Sequence, residues 1–186
     1  MKLILASNSP RRKDLLEKAG FKFSVLAGDF EEKEFSLDPV RTAERFAYGK
    51  AKSVFEKLKD DTDVIVLGAD TVVYHGGKIL GKPQDEKQAM QMLTELSGKT
   101  HTVISGYCLL GKEIEIVGHD TTLVTFNELS TRIKEDYIAS GLYKGKAGSY
   151  GIQDGFNLVK EYSGSLNNVI GLPTEKIFKH LKLLKV

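Results

Sequence analysis

Two hydrophobic periods divide the chain. Contiguous apolar runs at residues 3–6 and 64–67 predict short buried strands, residues 23–27 read as a further strand, and residues 71–74 continue extended. Apolar residues spaced three and four apart predict helices, each with a start or stop signal. The first opens at Ser9-Pro10 and stops at Gly20, and the second opens at Asp38-Pro39 with Ala43, Ala47, Ala51, Val54 and Leu58 on one face. Further helices are predicted over 85–97, ending at Gly98, from Ser130 to Gly141, and from Thr174 with Ile177, Phe178, Leu181 and Leu184 on its apolar side. Gly76-Gly77 predicts a tight hairpin returning through residues 78–80. Residues 101–110 and 113–126 predict two longer strands joined at Gly111-Lys112, and residues 156–161 predict one more after a glycine-rich stretch over 145–155. A long hairpin is incompatible with a purely parallel sheet. The pattern therefore predicts an α/β (α+β) fold, a single domain over residues 1–186 with a central mixed sheet and helices on both faces.

Composition narrows the setting more than the chemistry. Hydrophobic residues make up 41% and charged residues 28% of the chain, ordinary values for a globular protein, and the net charge is only +2. That charge is too small to argue for nucleic acid or an anionic membrane as partner. Cys108 is the sole cysteine, so no intramolecular disulfide can form and a reducing compartment is expected. The apolar run at the start is too short for a signal peptide, and no stretch could span a bilayer. The expected location is cytoplasmic.

The candidate chemistry begins at Ser7-Asn8-Ser9-Pro10-Arg11-Arg12, between the first strand and the first helix. Arg11, Arg12 and Lys13 lie in the first turn, where the helix dipole disfavours cations. An anion bound at that end by free backbone N–H groups would reverse the penalty, and phosphate is the natural candidate; a solvated basic turn is the alternative. Gly68-Ala69-Asp70-Thr71 follows the apolar strand, and a carboxylate there could hold a cation, activate a water, or simply turn the chain. Lys50 falls between Ala47, Ala51 and Val54, inside an apolar helix stripe, so it either snorkels or meets an anion in a cleft. Lys82, in Gly81-Lys82-Pro83, could place a point charge on a phosphate. Glu31 and Glu32 could add a second carboxylate, and Gln153, in the segment from Lys146 to Gln153, could read a base edge. Two apparent signals fail. Gly98-Lys99-Thr100 lacks the upstream glycine of a phosphate-binding loop, having Leu93 in its place, and Ser165 lacks the flanking glycines of a nucleophile elbow.

In order, LILASNSPRR, Glu31-Glu32, Lys50-Ala51, GADTVV, LGKP, LSGKTHTV, VTF, KAGSYGIQ and NVIGLP resemble the Maf family of nucleoside triphosphate pyrophosphatases, over residues 3–173. Arg11, Thr71 and Gln153 match the subgroup acting on dTTP and UTP; the subgroup acting on 7-methyl-GTP has tryptophan, glutamine and glutamate there. The resemblance implies a fold like that of the Maf and inosine triphosphate pyrophosphatases, with cleavage between the α and β phosphates. It implies Asp70 as the catalytic base, and Ser9, Arg12, Lys50 and Lys82 on the phosphates. Glu32 and Asp70 would hold a divalent cation (Mg²⁺ or Mn²⁺), and Arg11, Thr71 and Gln153 would select the base. It also implies a homodimer and leaves a second role open, a nucleotide-binding regulator of septum formation. One departure stands out: Leu142-Tyr143-Lys144-Gly145 replaces the family's usual Glu-Pro-Leu-Asp, which removes a carboxylate just before Lys146.

Overall fold

The computed structural model describes residues 1–33, 38–58, 61 and 63–186. Its frame is a seven-stranded mixed sheet. Strands β1 (Lys2–Leu5), β2 (Phe23–Val25), β3 (Val64–His75), β4 (Lys78–Leu80), β5 (Thr100–Gly111), β6 (Ile114–Phe126) and β7 (Val159–Ser163) are arranged in the order β2-β1-β3-β5-β6-β7, with β4 beside the far end of β3. β1 is parallel to β2 and β3; every other pairing is antiparallel. The predicted hairpin is β5–β6, with Gly111 opposite Ile114.

Helices cover both faces unequally. Helix α2 (Pro39–Phe55) lies against one face, burying Ala43, Ala47, Ala51 and Val54 with Val66, Val72, Ile104 and Cys108. On the other face α1 (Pro10–Lys18) and α6 (Thr174–Leu183) bury Leu16, Ile177 and Leu181 with Leu3, Leu5, Ile65, Leu67 and Leu109. Helices α3 (Glu86–Leu96) and α4 (Thr131–Ala139) extend that second layer over Val73, Val103, Val124 and Phe126. Strand side chains alternate between the layers, as the pleat requires.

Several boundaries differ from the sequence pattern. β3 runs unbroken for twelve residues, so Asp70 stands within the strand rather than just past the end of the apolar run at Leu67. Gly68 stays extended because α2 needs it bare: a Cβ there would lie 2.1 Å from the Ala47 carbonyl oxygen. Gly106 on β5 does the same beneath Ala43, at 2.4 Å. These two glycines let α2 lie directly on the strands. β7 begins at Val159 rather than at residue 156. A short helix, α5 (Leu166–Ile170), arises where the pattern shows none, capped by Ser165 through the Asn168 N–H. Pro173, not Thr174, occupies the capping position of α6. Among the described residues no helix is long and apolar enough to cross a membrane.

Candidate active site

The sheet has a gap that places the site. β1 pairs with β3 only as far as Leu67, and β4 begins pairing at Val73. Between them one edge of β3 is free of strand partners, and consecutive side chains of β3 point to opposite faces there. Asp70 therefore points toward α2 and Thr71 toward α1 and α5. The chain leaving β1, residues 6–12, runs past this gap and closes a cleft of about 470 Å³ lined from both layers. That volume suits a nucleotide-sized ligand.

On the α2 side the cleft holds a network of alternating charge. Asp70 is buried, and its Oδ1 accepts from Lys50 Nζ at 2.5 Å. The same ammonium lies 2.7 Å from Glu32 Oε1, and Lys82 Nζ donates to both oxygens of Glu32 at 2.7 and 2.8 Å. Burial alone would raise the Glu32 pKa, but Lys50 and Lys82 outweigh it and hold the carboxyl at about 2. Lys50 thus meets an anion from within its apolar stripe, as one reading of the sequence expected. That anion is a carboxylate pair of the chain itself.

On the opposite side stand the arginines. Arg12 donates to the Gly171 carbonyl at 2.8 Å, to Ser7 Oγ at 3.2 Å and to Thr71 Oγ1 at 3.3 Å. Thr71 is braced in turn by Ser105 Oγ at 2.8 Å, and Ser105 by the Asn168 carbonyl at 2.8 Å. All the partners of Arg12 are neutral. Among the described residues neither Arg11 nor Arg12 has a carboxylate within ion-pair distance, and burial disfavours the charge of both. Two guanidiniums at a helix start without a counter-ion leave the electrostatics open to an anionic ligand. Ser9 sits at the capping position of α1 without a side-chain capping bond, so its hydroxyl and the helix N–H groups face the cleft uncommitted to each other.

The third wall is the glycine-punctuated loop. Lys146 and Asp154 form a buried ion pair, their side chains 8% and 6% exposed. Tyr137 of α4 donates to Asp154 Oδ2 at 2.6 Å, and Gln153 Nε2 donates to Asp154 Oδ1 at 3.3 Å. Arg11 reaches this wall at the Gly145 carbonyl, 3.5 Å away. Lys146, left without an acidic neighbour by Gly145, draws its counter-ion from Asp154, eight residues on. The missing carboxylate therefore does not leave the lysine unpaired.

The nine residues assigned to the site from the sequence, Ser9, Arg11, Arg12, Glu32, Lys50, Asp70, Thr71, Lys82 and Gln153, all line this one cleft, whereas Glu31 does not. Within it Arg11 and Gln153 share the loop wall, whereas Thr71 is committed to Arg12 and Ser105. Sequence reasoning missed Asp154, Tyr137, Ser105 and Asn168. Only Asp154 left a trace, an acid inside a glycine-rich segment close after a lysine. The other three act through pairings that the fold alone creates.

The family model described as Maf-like protein matches residues 2–184. A dTTP/UTP pyrophosphatase of Ruminiclostridium cellulolyticum is 44% identical, over 98% of this chain and 95% of its own. Those of Clostridium acetobutylicum and Aquifex aeolicus are 45% and 41% identical, over 97% and 100% of this chain and 96% and 97% of theirs. A solved nucleoside-triphosphatase / dITP/XTP pyrophosphatase from Mycobacterium abscessus is a distant likeness, 16% identical with a TM-score of 0.44 over 98% of this chain and 95% of that one. With a family model spanning almost every residue and full-length relatives above 40% identity, the chain belongs to the Maf-like protein family.

Proposed function

We propose that this protein is a nucleoside triphosphate pyrophosphatase that hydrolyses dTTP and UTP to the monophosphate and pyrophosphate. The observation that carries the reading is the convergence of Asp70 and Glu32 on Lys50 in the same cleft onto which the uncompensated Arg11–Arg12 helix start opens. Relatives that carry the dTTP/UTP pyrophosphatase name over their full length support the substrate.

In this reading the triphosphate lies along α1, with Ser9, Arg12 and the first N–H groups of the helix on its oxygens. Asp70 takes the proton of a water as its oxygen bonds to phosphorus and the α–β anhydride bond breaks; the electron pair leaves with pyrophosphate. Lys50 and Lys82 exchange carboxylate oxygens for phosphate oxygens as substrate enters. Two carboxylates gathered on one ammonium are a donor set that also suits a hard cation, which takes one or two carboxylates and leaves its other positions to phosphate and water. Asp70 and Glu32 would hold Mg²⁺ or Mn²⁺, which when bound would neutralise phosphate charge in the transition state. Arg11, Thr71 and Gln153 contribute to base selection. A cytoplasmic setting agrees with the single cysteine, Cys108, whose thiol burial pushes up to about 12 and so keeps inert. A homodimer rests on the resemblance to the family. A protein that only bound nucleotide to regulate septum formation would have no use for a carboxylate held as Asp70 is.

The test is a panel of triphosphates. UTP and dTTP should be the best substrates and 7-methyl-GTP poor; a preference for 7-methyl-GTP would overturn the subgroup.

A further inference from the structure

One amide in the cleft has its orientation dictated from behind. Gln153 lines the cleft, and its side chain is oriented by Asp154 Oδ1 at 3.3 Å. An ionised carboxylate only accepts hydrogen bonds, so the end of the amide that faces it must be the NH₂. Asp154 is held in place from behind. Its other oxygen, Oδ2, accepts from both the Lys146 ammonium and the Tyr137 hydroxyl. Gly151 makes room for the arrangement: a Cβ there would lie 2.7 Å from each oxygen of Asp154 and 2.7 Å from Gln153 Nε2. With Nε2 turned to Asp154, the carbonyl Oε1 of Gln153 faces away from that carboxylate, and among the described residues it has no partner.

We propose that Asp154 is a positioning residue for base selection, holding the Gln153 carbonyl toward the ligand so that the cleft favours pyrimidines with an N3–H over cytosine. Uracil and thymine carry a donor at N3, which the carbonyl accepts. Cytosine presents a bare acceptor at the same position, and two acceptors repel. The inference rests on the reading of this cleft as a dTTP/UTP site and adds the reason that a third pyrimidine is disfavoured.

The arrangement acts as a relay that one isosteric change reverses. In Asp154→Asn, Lys146 and Tyr137 are still donors and still demand an oxygen at the Oδ2 position. The asparagine NH₂ must then face Gln153, which turns its carbonyl back and its own NH₂ toward the ligand. The turned amide donates to cytosine N3 and opposes the N3–H of uracil.

The experiment compares kcat/KM for UTP and CTP in the wild type, Asp154→Asn and Tyr137→Phe. It also measures equilibrium binding of both nucleotides in chelator. The wild type should favour UTP about tenfold, the usual scale for one mismatched polar contact. Asp154→Asn should bring the ratio to parity or below, with CTP gaining as UTP loses. Tyr137→Phe, which loosens Asp154 but leaves its oxygen facing Gln153, should keep the wild-type ratio; a merely structural role for Asp154 would lower both substrates together in both variants. If Asp154→Asn does not fold, the double variant Lys146→Met/Asp154→Asn removes the buried ammonium and gives the same readout through Tyr137. A folded variant that keeps the wild-type ratio, or a wild type indifferent to the two bases in both measurements, overturns the inference. Absence of turnover in the wild type would instead remove the pyrophosphatase reading, and the binding ratio would still decide the role of Asp154.

Discussion

The two ends of the cleft are both built from buried or half-buried charge, and they are built differently. Around Lys50, four charged groups share three contacts in a chain, Asp70–Lys50–Glu32–Lys82, that is buried at Asp70, 5% exposed, and open at Lys82, 48% exposed. Around Asp154, a lysine and a carboxylate are sealed together, below 10% exposed, and pinned by a tyrosine. The open end of the first set can exchange partners at small cost because water and phosphate can reach Glu32 and Lys82. The second cannot, since a partner removed there leaves a bare charge in a low-dielectric wall. Under the proposed function, the difference separates the part of the site that would react from the part that holds its shape.

The largest effect should come from Asp70→Asn, which removes the proposed base and leaves Lys50 still paired with Glu32. Turnover should fall by roughly 10²–10⁴-fold, the usual weight of general-base catalysis, in a protein that melts normally. Pyrophosphate release and a thermal melt together check this. An unfolded variant would mean that Asp70 belongs with the sealed end.

Lys146→Met tests that end directly. It strands Asp154 without its cation and should cost about 3–5 kcal/mol of stability, lowering the melting temperature by on the order of 10 °C. A loss below about 1 kcal/mol in denaturant unfolding would put the pair on a par with a surface bridge.

Acid should also reach the sealed end first. His101 lies behind it, its Nε2 2.7 Å from the hydroxyl of Tyr150, which lines the cleft; Nδ1 has no partner among the described residues. Burial, with a smaller contribution from His75, lowers the imidazole from 6.5 to about 4. The folded state thus binds fewer protons there than the unfolded chain. Stability is full above pH 6.5 and drains as pH falls toward 4, by up to about 3 kcal/mol. Urea midpoints against pH should show this slope, and His101→Phe should flatten it. The smallest effect belongs to Lys82→Met, half exposed at the reacting end. It should change stability by less than about 1 kcal/mol while raising KM for UTP; a larger stability loss would contradict the exchangeable character of that network.

The contrast also explains what the sequence could reveal. Residues of the reacting end announce themselves locally. Lys50 interrupts an apolar stripe, Arg11 and Arg12 sit where a helix dipole repels them, and Asp70 follows an apolar run. Each violates a rule of its own element, and a violation can be read without a fold. The sealed end obeys its local rules. Asp154 resembles a loop acid, Tyr137 a core aromatic of α4, Asn168 a turn residue in a segment not read as helix. Their roles come from contacts across 17 residues for Tyr137–Asp154 and 63 for Ser105–Asn168, which no local period encodes. The strand runs on past Leu67 for the complementary reason: Gly68 serves a helix that crosses it, not the strand in which it stands.

The most direct measurement follows the products of UTP hydrolysis by phosphorus NMR, with Mg²⁺ present and then chelated. The account predicts UMP and pyrophosphate in equal amounts, no orthophosphate, and arrest on chelation. UDP with orthophosphate, or undiminished turnover in Asp70→Asn, would contradict it.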